Sequence, residues 1–587
     1  MVVASSLDPK GMKVLVSALI LTATLIVGGL IARATGAGGS ADRGTSRTVP
    51  DEGLPISGDP EVLLGDRLFF ESRFAQYFFA HSGGDVNAPL AVGDPVMDAM
   101  PELAGTTLLG QPLVGKFRGQ SMNCRNCHLG DDFLYQQPMA GRTYVDFSTR
   151  SPIPDRNDGH VQTPRNSPLM INLGLPREVP MLLHFDGEFA TVEDLVIGAL
   201  TGRNFGWLPT ETSTAVKHIA RVIREDEGAN PRLLKQGYGS GIPYRALFLG
   251  TDGSLPPGAV IPWQYRIDVM KASDEQVLMA IARAIHAYID ALRFGSKNTN
   301  HQADSPYDLF LAKNDLPVWS AEGETDLEYA QALLQEIEQR RSFAWIKPPA
   351  DGEFELHRQT YEFGPKELEG LKIFLTRGGP GKSHAGNCVA CHTPPQFTDY
   401  RLHNNGVAQT EYDAVFGHGA FAALEIPGLA ERNARFDEFL PASPQHPSAS
   451  DRFRSPPSAG RPGHADLGVW NVYGNPDMPK PQAALAQILC EPSGAGTPSC
   501  TPEDVLPRTI ATFKTPSIRD LGQSNPYFHS GGMDTIEDVL RFYVTTSNLA
   551  RAGEVRNASP ELSEVRIDVT DIAPLAAFLR SLNEDYH

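Results

Sequence analysis

The sequence lacks the features that mark several common functional classes. Of its 587 residues only six are cysteine, too few for a scaffold held together by disulfide bonds. Positive charge is also scarce, because 51 Lys and Arg face 70 Asp and Glu and give a net charge of -19. This balance argues against nucleic acid as a partner, because no basic surface dominates. Neither a phosphate-binding glycine loop nor the G-x-S-x-G motif of hydrolases is present.

Long hydrophobic runs are also missing, apart from one run near the N-terminus. Residues 14–32 are uncharged and mostly apolar, with two lysines before them. The run is long enough to span a bilayer as a helix. It also fits a secretory signal cleaved within residues 34–37, and a buried core helix is a third alternative. Because the lysines precede the run, we expect residues 1–37 to direct export to the periplasm, as a signal peptide or an inner-membrane anchor.

Four of the six cysteines lie in two identical patterns. These are Cys124-Arg-Asn-Cys127-His128 and Cys388-Val-Ala-Cys391-His392. C-x-x-C-H is the attachment signature of c-type haem, in which both thiols bond the porphyrin and the histidine binds the iron. A zinc site and a redox-active thiol pair are the alternatives, but neither requires a histidine directly after each cysteine pair. We therefore expect two covalently bound haem c groups.

The remaining cysteines, Cys490 and Cys500, lie in a stretch that is rich in proline, glycine and serine. An oxidising compartment favours a local disulfide bond between them. Two free thiols are the alternative.

A longer series of motifs is repeated around the two haem patterns. The matching pairs are residues 65–70 with 370–375, 168–174 with 516–522, 185–194 with 529–538, and the closing amphipathic helices 281–292 with 572–582. We predict a mostly α-helical protein with two cytochrome c-type haem domains, at residues 50–295 and 305–587, related by this internal repeat. The polar segment 295–304 is interpreted as their linker.

Loop-rich insertions distinguish the two copies. The first copy has about forty extra residues, at 76–115, before its haem pattern. The second has about eighty extra residues after its haem pattern, including the cysteine pair and a proline-rich run at 441–462. Insertions of this kind usually lie at the surface and often shape access to a site.

Together these motifs resemble the bacterial dihaem cytochrome c peroxidase and MauG superfamily over most of residues 55–582. The most specific stretches are residues 513–519 (FKTPSIR) and 525–531 (NPYFHSG), with the helix that follows them. In that family one haem takes up peroxide or dioxygen, and the other stores and relays electrons. The resemblance implies that the His128 haem is the reactive one and that the His392 haem transfers electrons.

A bound calcium ion is a further implication of the resemblance. By motif position its ligands are Asn166, Ser524 and Pro526. An ordinary turn role for Asn166 is the alternative.

The second ligand of the His392 haem is suggested by the same resemblance. Counted from His529, Tyr543 falls where typical peroxidases have a methionine ligand and where MauG has a tyrosine ligand. On helical periodicity alone, Tyr543 would be a core residue. A phenolate stabilises ferric iron, unlike a thioether. Met533 is a competing ligand, and His529 is expected to line the pocket of this haem.

Two positions in the first domain depart from the family pattern. The tryptophan that relays electrons between the haems is replaced by Phe185, and Trp207 is a candidate substitute. The catalytic glutamate is replaced by Phe205, which cannot move the proton that O–O cleavage requires. Arg203 and Asn204 could polarise bound oxygen instead. An apolar residue in this pocket resembles the dihaem rubber oxygenases.

The sequence therefore predicts an exported dihaem redox enzyme that reduces hydrogen peroxide, or uses it as an oxidant, at the first haem. Alternatives are oxidation of a protein substrate in the MauG manner, insertion of dioxygen into an apolar substrate, and a non-catalytic electron-transfer role. A small cytochrome c or cupredoxin is the expected electron donor. The negative net charge suits a basic donor whose association depends on salt.

Overall fold

A computed structural model describes most of the chain after residue 57. The described ranges are 58–88, 123–124, 127–128, 153–154, 156–160, 162–228, 241–251, 253, 255–294, 304–354, 359–490 and 500–584. The apolar run at 14–32 and nearly all of the predicted linker at 295–304 lie outside these ranges. Within them, no helix is both long and apolar enough to cross a membrane.

The described residues before 295, called here the first half, are mostly helical. They are α1 (Pro60–Phe69), α2 (Gln76–His81), α3 (Val192–Thr201), α4 (Thr212–Glu225), α5 (Tyr244–Leu249) and α6 (Asp274–Ala291). Short 3₁₀ turns lie at Ser72–Phe74, Arg203–Phe205, Pro209–Glu211, Pro257–Ala259 and Trp263–Tyr265. The longest helix, α6, begins at a capping box in which Ser273 and Gln276 satisfy each other's backbone N–H groups.

Residues 304–584, called here the second half, are built in the same way. The helices are α7 (Pro306–Lys313), α8 (Asp326–Gln339), α9 (Pro365–Leu375), α10 (Val407–Phe416), α11 (Leu429–Ala434), α12 (Phe436–Phe439), α13 (Gln482–Leu489), α14 (Pro502–Val505), α15 (Ile536–Arg551), α16 (Pro560–Glu564) and α17 (Ile572–Arg580). The 3₁₀ turns lie at Cys388–Ala390, Val469–Asn471, Leu506–Thr509 and Leu521–Gln523. The prediction of a mostly helical chain is confirmed.

The two named strands of the described chain form one small antiparallel sheet. Strand β1 (Leu402–His403) pairs with β2 (Phe513–Lys514). Leu402 lies opposite Lys514, and His403 lies opposite Phe513. The sheet therefore joins the segment after the second haem pattern to the start of the FKTPSIR stretch.

A glycine-mediated helix crossing occurs once in each half. In the first half α1 packs on α6, and a Cβ on Gly65 would lie 2.0 Å from the carbonyl oxygen of Ala284. In the second half α9 packs on α17, and a Cβ on Gly370 would lie 2.0 Å from the carbonyl oxygen of Pro574. Both helix pairs approach so closely that only glycine fits at the crossing.

Three clusters of buried apolar side chains form the core. One lies within residues 62–294 and a second within residues 307–582. The third joins residues 179–185 of the first half to residues 408–513. Residues 407–512, called here the insert, include the predicted insertion of about eighty residues and pack against the first half. Within the insert Cys490 and Cys500 form the disulfide bond that their context predicted.

Candidate haem-binding site

The second C-x-x-C-H pattern lines a cavity. Cys388, Cys391, His392 and Tyr543 all lie on its wall. The cavity volume is about 250 Å³, and the cavity is partly open to solvent. Two thiols, an imidazole and a phenol therefore border one shared space.

A tight turn brings both thiols and the imidazole of this pattern to the cavity. The backbone N–H of His392 donates to the carbonyl of Cys388 at 2.8 Å. Nδ1 of His392 lies 3.1 Å from the carbonyl oxygen of Phe397, so Nδ1 carries the proton and Nε2 is left for a metal. Burial lowers the pKa of His392, which keeps the imidazole neutral as a metal ligand requires. The donor set of two thiols and a neutral imidazole fits a c-type haem.

The described residues of the first C-x-x-C-H pattern make the same backbone hydrogen bond. The backbone N–H of His128 donates to the carbonyl of Cys124 at 2.9 Å. The residue before the pattern, Asn123, is buried and donates from Nδ2 to the carbonyl of Phe70 at 3.2 Å. The thiol-bearing Cys124 packs against the core cluster of the first half. Residues 125–126 lie outside the described ranges.

Helix α15 carries the predicted second ligand. Its N-cap is Thr535, whose side chain accepts a hydrogen bond from the backbone N–H of Asp538. Tyr543 lies two turns further along the helix, and Nδ2 of Asn405 lies 3.2 Å from its phenolic oxygen. Burial raises the pKa of Tyr543 to about 12. The described lining of the cavity includes Tyr543 and does not include Met533.

An aromatic group lies on the cavity wall where the two halves meet. The imidazole of His529 stacks on Phe513, with ring centroids 3.6 Å apart. The ring of Phe185, from the first half, lies 6.3 Å from the same imidazole. The carbonyl of Phe185 accepts a hydrogen bond from the backbone N–H of Lys514 at 2.7 Å. His529 thus lies on the wall of the cavity that includes the second haem pattern, and its role beside a haem stays a prediction.

The residues predicted to bind calcium also meet at this boundary. Nδ2 of Asn166 donates to the carbonyl oxygen of Pro526. Oδ1 of Asn166 accepts from the backbone N–H of Ser167 at 3.0 Å. Ser524 lies on the same cavity wall. The side chain of Asn166 thus links the halves directly, and its carbonyl end would have to turn toward an ion to bind one.

A buried ion-pair network beside the cavity was not anticipated from the sequence. Arg165 pairs with Asp466 of the insert and with Asp186. Arg454 pairs with the same Asp186 and with Glu188. Arg165 and Asp466 are 301 positions apart, and Arg454 and Glu188 are 266 positions apart, so no local spacing in the sequence indicates these two pairings.

The predicted distal residues of the first haem lie in and after one 3₁₀ turn. Phe205 is 3% exposed within the core of the first half. Arg203 pairs with Asp158, at 2.6 Å from Nε to Oδ2, and so holds the loop that contains Asp158. The indole N–H of Trp207 donates to the carbonyl of Phe74 at 3.2 Å, inside the same core. Asn204 is half-buried in the turn. Distal and relay roles for these residues stay predictions.

Two further residues of the cavity wall, Lys514 and His403, were not predicted from the sequence. Lys514 lies on the wall, and burial together with the charge of Arg177 lowers the pKa of its ammonium group to about 8. His403 also lies on the wall, and its Nε2 is 2.7 Å from Oδ2 of Asp399. Lys514 belongs to the FKTPSIR stretch, which is the signal that could have identified it. For His403 the sequence offers no such signal.

One comparison with known proteins, by sequence, agrees with these motifs. No family model matches the sequence. The chain is 22% identical over 201 residues to a cytochrome-c peroxidase of Denitromonas iodatirespirans, and the match spans 34% of this chain and 38% of that relative. In sequence, this relative is of the kind that the motifs predicted.

Two solved structures align over most of the chain. One is a MauG-like protein associated with microbial copper homeostasis, with 15% identity, a TM-score of 0.39, and coverage of 91% of each chain. The other is the dihaem peroxidase BthA of Burkholderia thailandensis, with 15% identity, a TM-score of 0.40, and coverage of 90% of this chain and 87% of that one. By its sequence motifs and its curated relative, the chain resembles the dihaem cytochrome c peroxidase and MauG superfamily.

Proposed function

We propose that this chain is an exported dihaem c-type redox enzyme of the peroxidase and MauG type. It reduces hydrogen peroxide, or uses it as an oxidant. The observation that carries the proposal is the single cavity whose wall holds Cys388, Cys391, His392 and Tyr543. Two thiols, an imidazole and a phenol are the donors that a c-type haem with a tyrosine second ligand would use. The backbone hydrogen bond from His128 to Cys124 matches the one from His392 to Cys388, and this match supports a second haem.

The four candidate haem-binding residues on the cavity wall have distinct roles in this proposal. Cys388 and Cys391 attach the porphyrin, and His392 presents Nε2 to the iron because the carbonyl of Phe397 engages Nδ1. Tyr543 would have to give up its proton to bind iron, since a phenolic ligand must be deprotonated. The haem irons would supply the electron transfer, and the haem held by His128 would bind peroxide or dioxygen.

Electron relay between the haems is proposed to pass Phe185. Its support is the position of this ring on the cavity wall, against His529 and at the boundary of the two halves. Trp207 is the second candidate, and its indole is fixed by a hydrogen bond to Phe74. The proposed enzyme has two haem domains, at residues 50–295 and 305–587. The matching glycine crossings of α1 and α9 support this division.

The distal side of the first haem is proposed to lie near Phe205, with Asn204 and Arg203 in the same turn. Phe205 has no proton to give, so peroxide cleavage here lacks the usual acid and base at this position. Its burial among apolar side chains favours the alternative function, insertion of dioxygen into an apolar substrate.

Location and partners follow from the same proposal. Residues 1–37 would export the chain to the periplasm, either as a cleaved signal or with residues 14–32 as a membrane anchor. A small basic cytochrome c or cupredoxin would deliver electrons, because the net charge of this chain is -19. Calcium would be held by Asn166, Ser524 and Pro526.

Covalent haem content tests the proposal. The mature protein should carry two haem groups by intact mass and by the spectrum of the pyridine complex. Replacing Cys388 and Cys391 together by serine should leave one haem. The matched control is the double replacement of Cys490 and Cys500, which should leave both haems in place. A protein that binds zinc and no haem would contradict the proposal.

Ligand binding separates the enzyme from a pure electron carrier. If both irons hold two protein ligands, cyanide and carbon monoxide should bind slowly or not at all. Fast binding of one equivalent per chain is the result expected for an enzyme with an open position beside His128.

A further inference from the structure

The loop after β1 places a side-chain amide against the phenol of Tyr543. Nδ2 of Asn405 lies 3.2 Å from the phenolic oxygen, and both residues line the cavity. We propose that Asn405 is a positioning residue that donates a hydrogen bond to this oxygen while the oxygen binds the haem iron. It thereby limits how strongly the phenolate donates to the iron. The inference rests on the proposed ligation by Tyr543.

The orientation of the Asn405 amide is fixed by a second contact. Its Oδ1 accepts a hydrogen bond from the backbone N–H of Val407 at 3.2 Å. The reversed amide would bring its NH₂ group against that N–H, and this contact would be repulsive. Once Tyr543 is a phenolate it has no proton to donate, so its oxygen would also repel the amide oxygen. The amide therefore acts as a donor toward Tyr543.

The backbone around Asn405 is held on one side by the preceding residue. The backbone N–H of Asn404 donates to the side chain of Ser559 at 2.8 Å, and Nδ2 of Asn404 donates to the carbonyls of Arg556 and Asn557. Asn404 is 2% exposed. These hydrogen bonds fix the loop on one side of Asn405.

On the other side of Asn405, Gly406 lets the loop pack closely against α15, the helix that carries Tyr543. Its φ is +86°, a left-handed value that favours glycine. A Cβ at this position would lie 2.6 Å from the side chain of Thr546, which is on α15 with Tyr543. The loop and the helix are thus packed together, so the distance between Asn405 and Tyr543 is set by the fold.

The electronic effect follows from the charge of the ligand. A hydrogen bond to an anionic oxygen is stronger than one to a neutral oxygen, so the amide stabilises the phenolate form of Tyr543. Electron density that the hydrogen bond holds on the oxygen is not donated to the iron. Without the amide, the phenolate would stabilise ferric iron more strongly. The reduction potential of the His392 haem would then be lower.

Two variants of Asn405 test the inference. Asn405→Leu removes both hydrogen bonds. Asn405→Ser keeps the turn, because a serine hydroxyl can accept from the N–H two residues on, but it is too short to reach Tyr543. The measurements are the phenolate-to-iron charge-transfer band of the ferric protein and the reduction potential of each haem by spectroelectrochemistry. Asn548→Ala, at an exposed amide on the same helix, is the matched control.

Both Asn405 variants should move the charge-transfer band to longer wavelength and lower the potential of one haem, while the control leaves both unchanged. Tyr543→Phe, measured alongside, separates the two proposals. If Tyr543→Phe removes the band but the Asn405 variants match the unaltered protein, the role of Asn405 is overturned and the ligation stands. If Tyr543→Phe changes nothing, the ligation and the role of Asn405 fall together.

Discussion

Arg165 and Asp466 form a buried, two-pronged ion pair, with Nε 2.6 Å from Oδ2 and Nη2 2.7 Å from Oδ1. Arg165 belongs to the segment after the first haem pattern, and Asp466 belongs to the insert. The pair therefore ties the two halves together beside the cavity. Paired donors and acceptors of this kind fix orientation as well as distance.

Removing the cation of this pair should be costly. Arg165→Met leaves the buried carboxylates of Asp466 and Asp186 without this partner, and we expect the free energy of unfolding to fall by about 3–5 kcal/mol. Urea unfolding of the haem-loaded protein measures the loss. Arg221→Met is the control, because its pair with Glu225 is exposed and should contribute less than about 0.5 kcal/mol. An equal loss of unfolding free energy in the two variants would show that the buried pair stabilises the fold no more than the exposed pair does.

The two glycine crossings give a matched test of the repeat. Gly65→Ala and Gly370→Ala each place a Cβ against a backbone carbonyl, so we expect each to lower the free energy of unfolding by about 1–3 kcal/mol. Gly258→Ala is the control, because nothing lies within 4 Å of its added Cβ. Thermal unfolding measures all three. A loss in only one of the two crossing variants would argue against equivalent helix pairs.

Much of this architecture could be predicted from the sequence. Helical periodicity placed the closing helices at 281–292 and 572–582, close to the observed α6 and α17. Helical periodicity alone predicted a core position for Tyr543, and in α15 Leu540 is buried while Tyr543 is partly buried against the second core cluster and also lines the cavity. These features are local, because each depends on residues three or four positions apart.

The remaining features depend on contacts between distant residues. Asn405 meets Tyr543 across 138 positions, and Arg165 meets Asp466 across 301. Asparagine and aspartate are common in turns, so neither residue differs in the sequence from ordinary loop positions. The insert also occupies a larger part of the molecule than a surface loop would, since it contributes a core cluster of its own.

The identity of the second haem ligand should set the potential of that haem. Tyr543→Met replaces an anionic oxygen donor by a neutral thioether, which favours ferrous iron. We expect the potential to rise by on the order of a few hundred millivolts, within the range of roughly 0.8 V that axial ligands span. Potentiometric titration followed by absorbance measures it. Met533→Leu is the control and should leave the potential unchanged; a shift there instead would make Met533 the ligand.

One contact between the first half and the insert should depend on pH. Nε2 of His160 lies 3.3 Å from Oδ2 of Asp451. The hydrogen bond to Asp451 and the charge of this carboxylate raise the pKa of His160, and the charge of Asp158 raises it further. Burial and the charge of Arg203 act in the opposite direction, but the pKa is raised overall. The unfolded value is about 6.5. Because the folded pKa is higher, the stabilisation is fully present below about pH 6.5 and is lost as the pH rises through the folded value.

The variant His160→Gln should therefore cost stability at acidic pH and little at alkaline pH. The loss should stay below about 1 kcal/mol, because the imidazole is partly exposed to solvent. Urea unfolding at pH 5.5 and pH 8.5 compares the variants, and His81→Gln, at an exposed histidine, is the control. A loss that is equal at both pH values would contradict the assignment.

The proposed reaction with peroxide can be observed in a stopped-flow spectrum of the purified dihaem protein mixed with one equivalent of hydrogen peroxide. We expect a fast, stoichiometric change of the haem spectrum that an electron donor reverses. This result requires that Phe205 does not abolish O–O cleavage. Slow bleaching or an unchanged spectrum would contradict it and leave dioxygen chemistry or simple electron transfer as the function.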